Sequence, residues 1–277
     1  MDKENENVVY QNGEGGYIFI SHSHRDINKV RIIRNTLEEN GYEPLCFYLK
    51  CLSDDDEVEG LIKREIDSRD IFLYIESPNS LKSKWVKKER EYINGCKDKT
   101  IFKITLNDDT DVKEETLKIL NKTRVFISYT YADRWAFDLI KQNLIKKDLK
   151  VFDYNEIKAG QDFAKAITES INQACDDGCF VILLSKEGFR STHVKKELEF
   201  ALEGPKDRKL VVTLDGANLN DDYFFNYVLK DVKNRANLDS KGDVHEQLKD
   251  IIDKIKYITC ADTNDKWDHL EHLLPVY

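Results

Sequence analysis

The tetrapeptide Val-Lys-Lys-Glu occurs twice in the chain, at 86–89 and at 194–197. In both places the glutamate is the anomalous residue. At helical spacing Glu89 falls inside the arc formed by Val86, Ile93, Trp85 and Tyr92, while Lys84, Lys87, Lys88 and Glu91 share the opposite, water-facing side. Glu197 sits in the same way among Val194, Ala201, His193 and Phe200, opposite Lys195, Lys196 and Glu199. A carboxylate held in an apolar stripe without a partner is costly, or takes up a proton. An edge position reaching solvent or a structural salt bridge would satisfy it. The third arrangement is a helix lining a cleft at the carboxyl ends of parallel strands, where open α/β sheets bind ligands. Trp85 and Glu89, four residues apart, then share one wall of that cleft.

Other reactive side chains point to less. His22 and His24 lie two apart after a strand-like run, but no third ligand follows at a telling spacing, so no metal is expected. The six cysteines (46, 51, 96, 175, 179 and 260) form no Cys-x-x-Cys pair and read as thiols of a reducing compartment. Gly-Glu-Gly-Gly at 13–16 precedes a strand, and no helix follows it directly. It reads as a flexible lead-in and not as a dinucleotide fingerprint.

The elements that position the two glutamates repeat as well. "YIFISHSHRD" at 17–26 and "RVFISYTYAD" at 124–133 place Ser21 and Ser128, and Asp26 and Asp133, at an offset of 107 residues. Ser77 and Ser185, and Glu89 and Glu197, are offset by 108. Four landmarks at one period mark a duplicated domain. Each copy alternates strand and helix signals: a strand ending at the serine, a helix capped by the aspartate, a second strand, and an amphipathic helix. A continuous apolar strand ("DIFLYIE", "CFVILLS"), the glutamate helix and a further strand complete the series. That order predicts an α/β fold, an open parallel sheet with helices on both faces. The second copy continues through "DYFFNYVLKDV", expected as a short strand, and a helix over about 244–256. The first copy has only "DVKEETLKIL" in that place, so its last strand and helix are expected to be missing or shortened.

The chain has 277 residues, 40% of them apolar, and a formal net charge of −9. Its length suits two globular domains at ~100–200 residues each. The charge argues against general nucleic-acid or anionic-membrane binding, because both partners are polyanions. No apolar run approaches the ~20 residues of a spanning helix, and the polar start lacks a signal-peptide core, so a cytoplasmic location is expected. The tail places Trp267, Leu270, Leu273 and Leu274 at helical spacing, for packing on its own domain or on another subunit.

These landmarks resemble the TIR (Toll/interleukin-1 receptor) domain, a flavodoxin-like fold. The resemblance rests on Phe-Ile-Ser-x-x-x-x-Asp after the first strand, on "DYNEIKAGQDF" at 153–163, and on Ser-x-Trp-x-x-x-Glu at 83–89. It implies a lead-in at 1–16, a first domain at 17–122, a second at 123–258 and a tail at 259–277. It further implies an NAD⁺ glycohydrolase or cyclase that releases nicotinamide and ADP-ribose or a cyclic isomer, in bacterial antiviral immunity. The alternative it implies is a non-enzymatic TIR–TIR assembly protein. Carried over by position, the catalytic residue is Glu89 or Glu197, and Ser21, His22, Trp85, Ser128, Tyr129, Asp153, Gly160 and His193 contact the substrate. NAD⁺ is then a substrate and no cofactor is needed. The copies depart from the pattern in opposite ways. The first keeps Trp85 but has the acidic "LKCLSDDDEV" at 49–58 in place of the loop; the second keeps the loop but has His193 in place of the tryptophan. This division leads to the expectation that the second copy's loop closes over Trp85 and Glu89 of the first.

Overall fold

The computed structural model describes residues 16–46, 55–96, 99–157, 160 and 162–268. The lead-in before Gly16, much of the acidic stretch at 49–58 and the end of the tail lie outside the described residues. The first copy runs β1 (Tyr17–Ser21), α1 (Ile27–Glu39), β2 (Glu43–Cys46), α2 (Asp55–Asp67), β3 (Ile71–Glu76), α3 (Lys84–Asn94), β4 (Thr100–Thr105) and α4 (Val112–Lys122). The second runs β5 (Arg124–Ser128), α5 (Arg134–Ile145), β6 (Lys150–Val151), α6 (Phe163–Asp176), β7 (Cys179–Leu184), α7 (Lys186–Arg190), α8 (Thr192–Ala201), β8 (Lys209–Leu214), α9 (Tyr223–Leu229), β9 (Arg235–Leu238) and α10 (Val244–Asp268).

The strand orders are β2-β1-β3-β4 and β6-β5-β7-β8-β9, and every pairing is parallel. Parallel sheets are covered on both faces, so their central strands are apolar throughout. Accordingly β7 is buried at every residue and β3 at all but its last. Each sheet carries a core on either face. The same aromatic stack bridges the first and third strands of both copies: Phe19 on Phe72 at 5.6 Å and Phe126 on Phe180 at 5.7 Å.

Among the described residues no fifth strand pairs with β4. The first copy keeps a short last helix, α4, which packs against α1 and shares its core through Ile119 and Leu120. The open edge of β4 is not bare. Helix α10 continues well past the 256 expected from its pattern, to Asp268, and lies against β4. Covering an edge in this way blocks pairing with another chain.

Two local expectations are corrected. The segment read as a strand at 222–232 forms α9, because Phe225 and Leu229, four apart, are both fully buried while Tyr223 and Tyr227 face water. Its aromatic content suggested a strand, but the period is helical. The strand is the shorter "RANL" of β9, with alternating burial. Asp26 and Asp133 precede their helices without capping them through the side chain. The carboxylate of Asp26 instead accepts from Ser77 Oγ (2.5 Å) and Asn79 Nδ2 (2.7 Å). That of Asp133 accepts from Ser185 Oγ (3.0 Å) and Thr130 Oγ1 (2.7 Å).

The copies meet through the amino ends of their strands. Tyr42 hydrogen-bonds Thr123, Lys150 donates to the carbonyl of Asn40, and the Lys150 ammonium lies 4.2 Å from the Tyr42 ring centroid. Lys147 pairs with Asp70 at 3.4 Å, and the Asp70 amide donates to Asp148 Oδ2 at 3.4 Å. Gly16 is needed at this joint, since a Cβ there would meet Asp148 Cβ at 2.4 Å. The carboxyl ends of both sheets therefore face away from the junction.

Candidate functional site

Each glutamate helix begins on a serine cap: Ser83 accepts from the Val86 amide and Ser191 from the Val194 amide. This fixes the first turn, and Val86 and Ile93, or Val194 and Ala201, anchor the inner face in the core. Glu89 and Glu197 are carried inward with them, to 6% and 2% exposure. Both meet the last residue of the first strand. Ser21 Oγ donates to Glu89 Oε2 at 2.5 Å, and Ser128 Oγ donates to Glu197 Oε2 at 2.6 Å. The four landmarks of the repeat are thus two hydrogen-bonded pairs in each copy, serine with glutamate and aspartate with serine.

Beyond this shared pair the two carboxylates differ. Glu197 Oε1 accepts from the Tyr154 hydroxyl and lies 2.9 Å from His193 Nε2. Its carboxylate holds His193 above the usual imidazole range, and burial together with Glu197 keeps the Tyr154 phenol protonated. Tyr154 is wedged among Phe126, Phe152, Phe163 and His193, with ring centroids 5.3–6.2 Å apart across the group. Among the described residues Glu89 has Ser21 as its one hydrogen-bond partner. Burial pushes its carboxyl up to about 7, and the Ser21 bond only partly offsets this.

The remaining candidates divide. Half-buried Trp85 lies one turn before Glu89, with the Lys84 and Lys88 ammoniums 5.6 and 5.1 Å from its ring. His22 follows Ser21; burial lowers its pKa, and its Nδ1–H donates to the Ile20 carbonyl at 3.0 Å. Tyr129 is turned into the core, stacked on Phe137 at 4.3 Å. Asp153 is engaged within its own copy, where it accepts from Lys141 (2.7 Å) and from the Asn155 amide and side chain (2.9 Å each). Gly160 sits at a φ of +94°, which disfavours any side chain there whatever the space. Among the described residues no group of three or more His, Cys, Asp or Glu is placed to hold a metal ion.

Among the described residues the expected closure of loop 153–163 over Glu89 is not formed. Asp153 and Tyr154 are bonded inside the second copy, and the amino-end junction separates the two clefts. Sequence reasoning did not single out Tyr154, although a signal was present. Pairing of β2 with β1 and of β6 with β5 sets Pro44 level with Val151, so three residues on Phe47 corresponds to Tyr154. Phe47 has no hydroxyl, and Trp85 in place of His193 puts no ring nitrogen on Glu89. Both changes take a donor from the first glutamate and leave it on the second.

No curated protein matches the sequence. A solved structure described as the XylFII molecule aligns over 90% of this chain and 94% of its own, at 14% identity and a TM-score of 0.22, too slight a likeness to carry an argument. Among the described residues no helix is long and apolar enough to cross a membrane. The family model for the TIR domain matches twice, over residues 18–123 and 125–252, and the chain belongs to that family as two tandem copies.

Proposed function

We propose that the first copy cleaves the glycosidic bond of NAD⁺ with Glu89 as its catalytic carboxylate. One observation carries the reading: Glu89 is buried at the carboxyl end of the sheet yet has an oxygen that no described residue occupies. Nicotinamide is a cationic substituent that departs neutral, taking the bond pair, so no general acid is required. The positive charge that develops on the ribose needs a fixed anion close by, in a site from which water is largely excluded. A buried carboxylate with one hydrogen-bond donor meets that need. Its raised pKa makes the free enzyme half ionised near pH 7, and an arriving cation favours the ionised form. Water then adds hydroxide to C1′ and releases a proton, giving ADP-ribose; attack by the adenine ring instead gives a cyclic isomer. Ser21 holds the carboxylate, while Trp85 and His22 stand beside it to contact the substrate. In the second copy Tyr154 and His193 occupy Glu197, which supports a silent or gated site there.

Because the clefts face away from the junction, closure of loop 153–163 over Glu89 would come from a second chain, and activity would rise with protein concentration. A role in bacterial antiviral immunity, in the cytoplasm, is proposed on the family resemblance alone. The second reading, a TIR–TIR assembly protein without catalysis, has its own support. The serine–glutamate pair recurs in both copies and ties the first strand to the glutamate helix, which is a structural use. Nicotinamide release from NAD⁺ by concentrated wild type, Glu89→Ala and Glu197→Ala decides between them. Loss in Glu89→Ala alone is the expected result; release that survives Glu89→Ala removes the catalytic assignment.

A further inference from the structure

A second concavity, of about 400 Å³, lies between α5 and α10 of the second copy. One wall is the end of α5 and its continuation, with Asn143, Lys146 and Lys147; the other is a single face of α10 running from His245 to Lys256. Buried Leu248 and Ile252 form an apolar floor, and Lys249 and Lys256 add two further cations. Asp253 is the one acid among the lining residues. In a chain of net charge −9, four lysines and a histidine converge on this one groove. Among the described residues Lys146 and Lys249 have no acidic partner. The duplication supplies a control: the first-copy positions that correspond to Lys146 and Lys147 are Glu39 and Asn40.

We propose that this groove binds a nucleotide carrying two or more phosphates, with the phosphates on the lysines and the base on the Leu248–Ile252 floor. The size suits such a ligand, since small-molecule pockets run from about 300 to 1,000 Å³ and favour domain junctions. Both walls reach the first copy. Lys147 pairs with Asp70, and its neighbour Asp148 accepts from the Asp70 amide. Helix α10 lies against β4. A phosphate that takes up Lys147 competes with Asp70, so occupancy is coupled to the contact between the copies.

Calorimetric titration of full-length protein with ATP, adenosine and inorganic pyrophosphate tests this assignment. A Glu89→Ala background keeps it independent of the NAD⁺ reading. ATP is expected to bind more tightly than either fragment and to weaken as salt is raised. The double variant Lys146→Glu/Lys249→Glu should lose about tenfold or more in ATP affinity and in thermal stabilisation by ATP, whereas Lys165→Glu on α6 should lose neither. The proposal is overturned by any of three results: absence of saturable ATP binding, binding indifferent to the double variant, or pyrophosphate binding as tightly as ATP.

Discussion

Glu89 and Glu197 occupy equivalent places in a duplicated fold, each on a serine-capped helix and each accepting from the last residue of the first strand. Tyr154 and His193 complete the shell around Glu197. By sequence position Phe47 and Trp85 correspond to them in the first copy, and neither side chain carries a hydroxyl or an imidazole. The backbone is the same; the number of donors is not. A buried carboxylate given several donors is a stable structural part, whereas one given a single donor keeps a raised proton affinity and a vacant oxygen. Duplication has left one serine–glutamate pair in two different shells, filled by Tyr154 and His193 around Glu197 and, among the described residues, open on one oxygen around Glu89.

The largest effect that would break this comparison is on catalysis. Glu89→Gln is expected to lower nicotinamide release by on the order of 10²–10³-fold, with the circular dichroism spectrum unchanged, while Glu197→Gln leaves the rate within about twofold. Equal losses in both variants would end the division between the copies.

Stability against pH comes next. The folded pKa of Glu89, about 7, lies above its ordinary 4.5, so folding favours the protonated form. Its contribution is fully present below pH 4.5 and is lost as pH rises through 7, by about 3 kcal/mol. Glu89→Gln should remove that slope. Urea midpoints at pH 5 and pH 8 for both proteins check it; Asp148, raised to about 6, leaves a smaller slope in both, and a slope undiminished by the substitution would place the titrating group elsewhere.

Removing the lock should cost stability in the second copy. Tyr154→Phe deletes a hydrogen bond to a buried carboxylate and is expected to destabilise by about 1.5–3 kcal/mol, read from thermal or urea unfolding. A neutral result would mean that Glu197 is held by Ser128 and His193 alone.

The smallest effect lies at the junction. Asp148, in the left-handed region at φ 59°, is pushed up to about 6 by burial and by Asp70. Asparagine tolerates that backbone and keeps an acceptor. Asp148→Asn should therefore stabilise the chain by about 1 kcal/mol at pH 7.5, part of the charge being screened by solvent. The gain should vanish below the ordinary aspartate pKa of 3.8.

Much of the fold was legible because it follows from local patterns. Continuous apolar runs marked β3 and β7, and a nearly constant offset marked the duplication. Helical period placed Glu89 and Glu197 in the apolar arcs, and the structure buries both. Where several residue types compete for one signal, reading failed. The aromatic run in α9 suggested a strand, and Asp26 and Asp133 were taken for caps when their carboxylates serve Ser77 and Ser185.

The sequence by itself determined two TIR domains, the glutamates in their apolar stripes and a first copy whose last strand and helix are missing or shortened. Periodicity and spacing depend on a residue and its near neighbours, which the sequence carries directly. Only the tertiary structure decided which donors reach each carboxylate, that the copies join through their amino ends, and that α10 covers β4. Apart from His193 on Glu197, those contacts join residues tens of positions or more apart. A hydrogen bond of about 3 Å is set by how whole sheets and helices pack, and no local pattern encodes that distance.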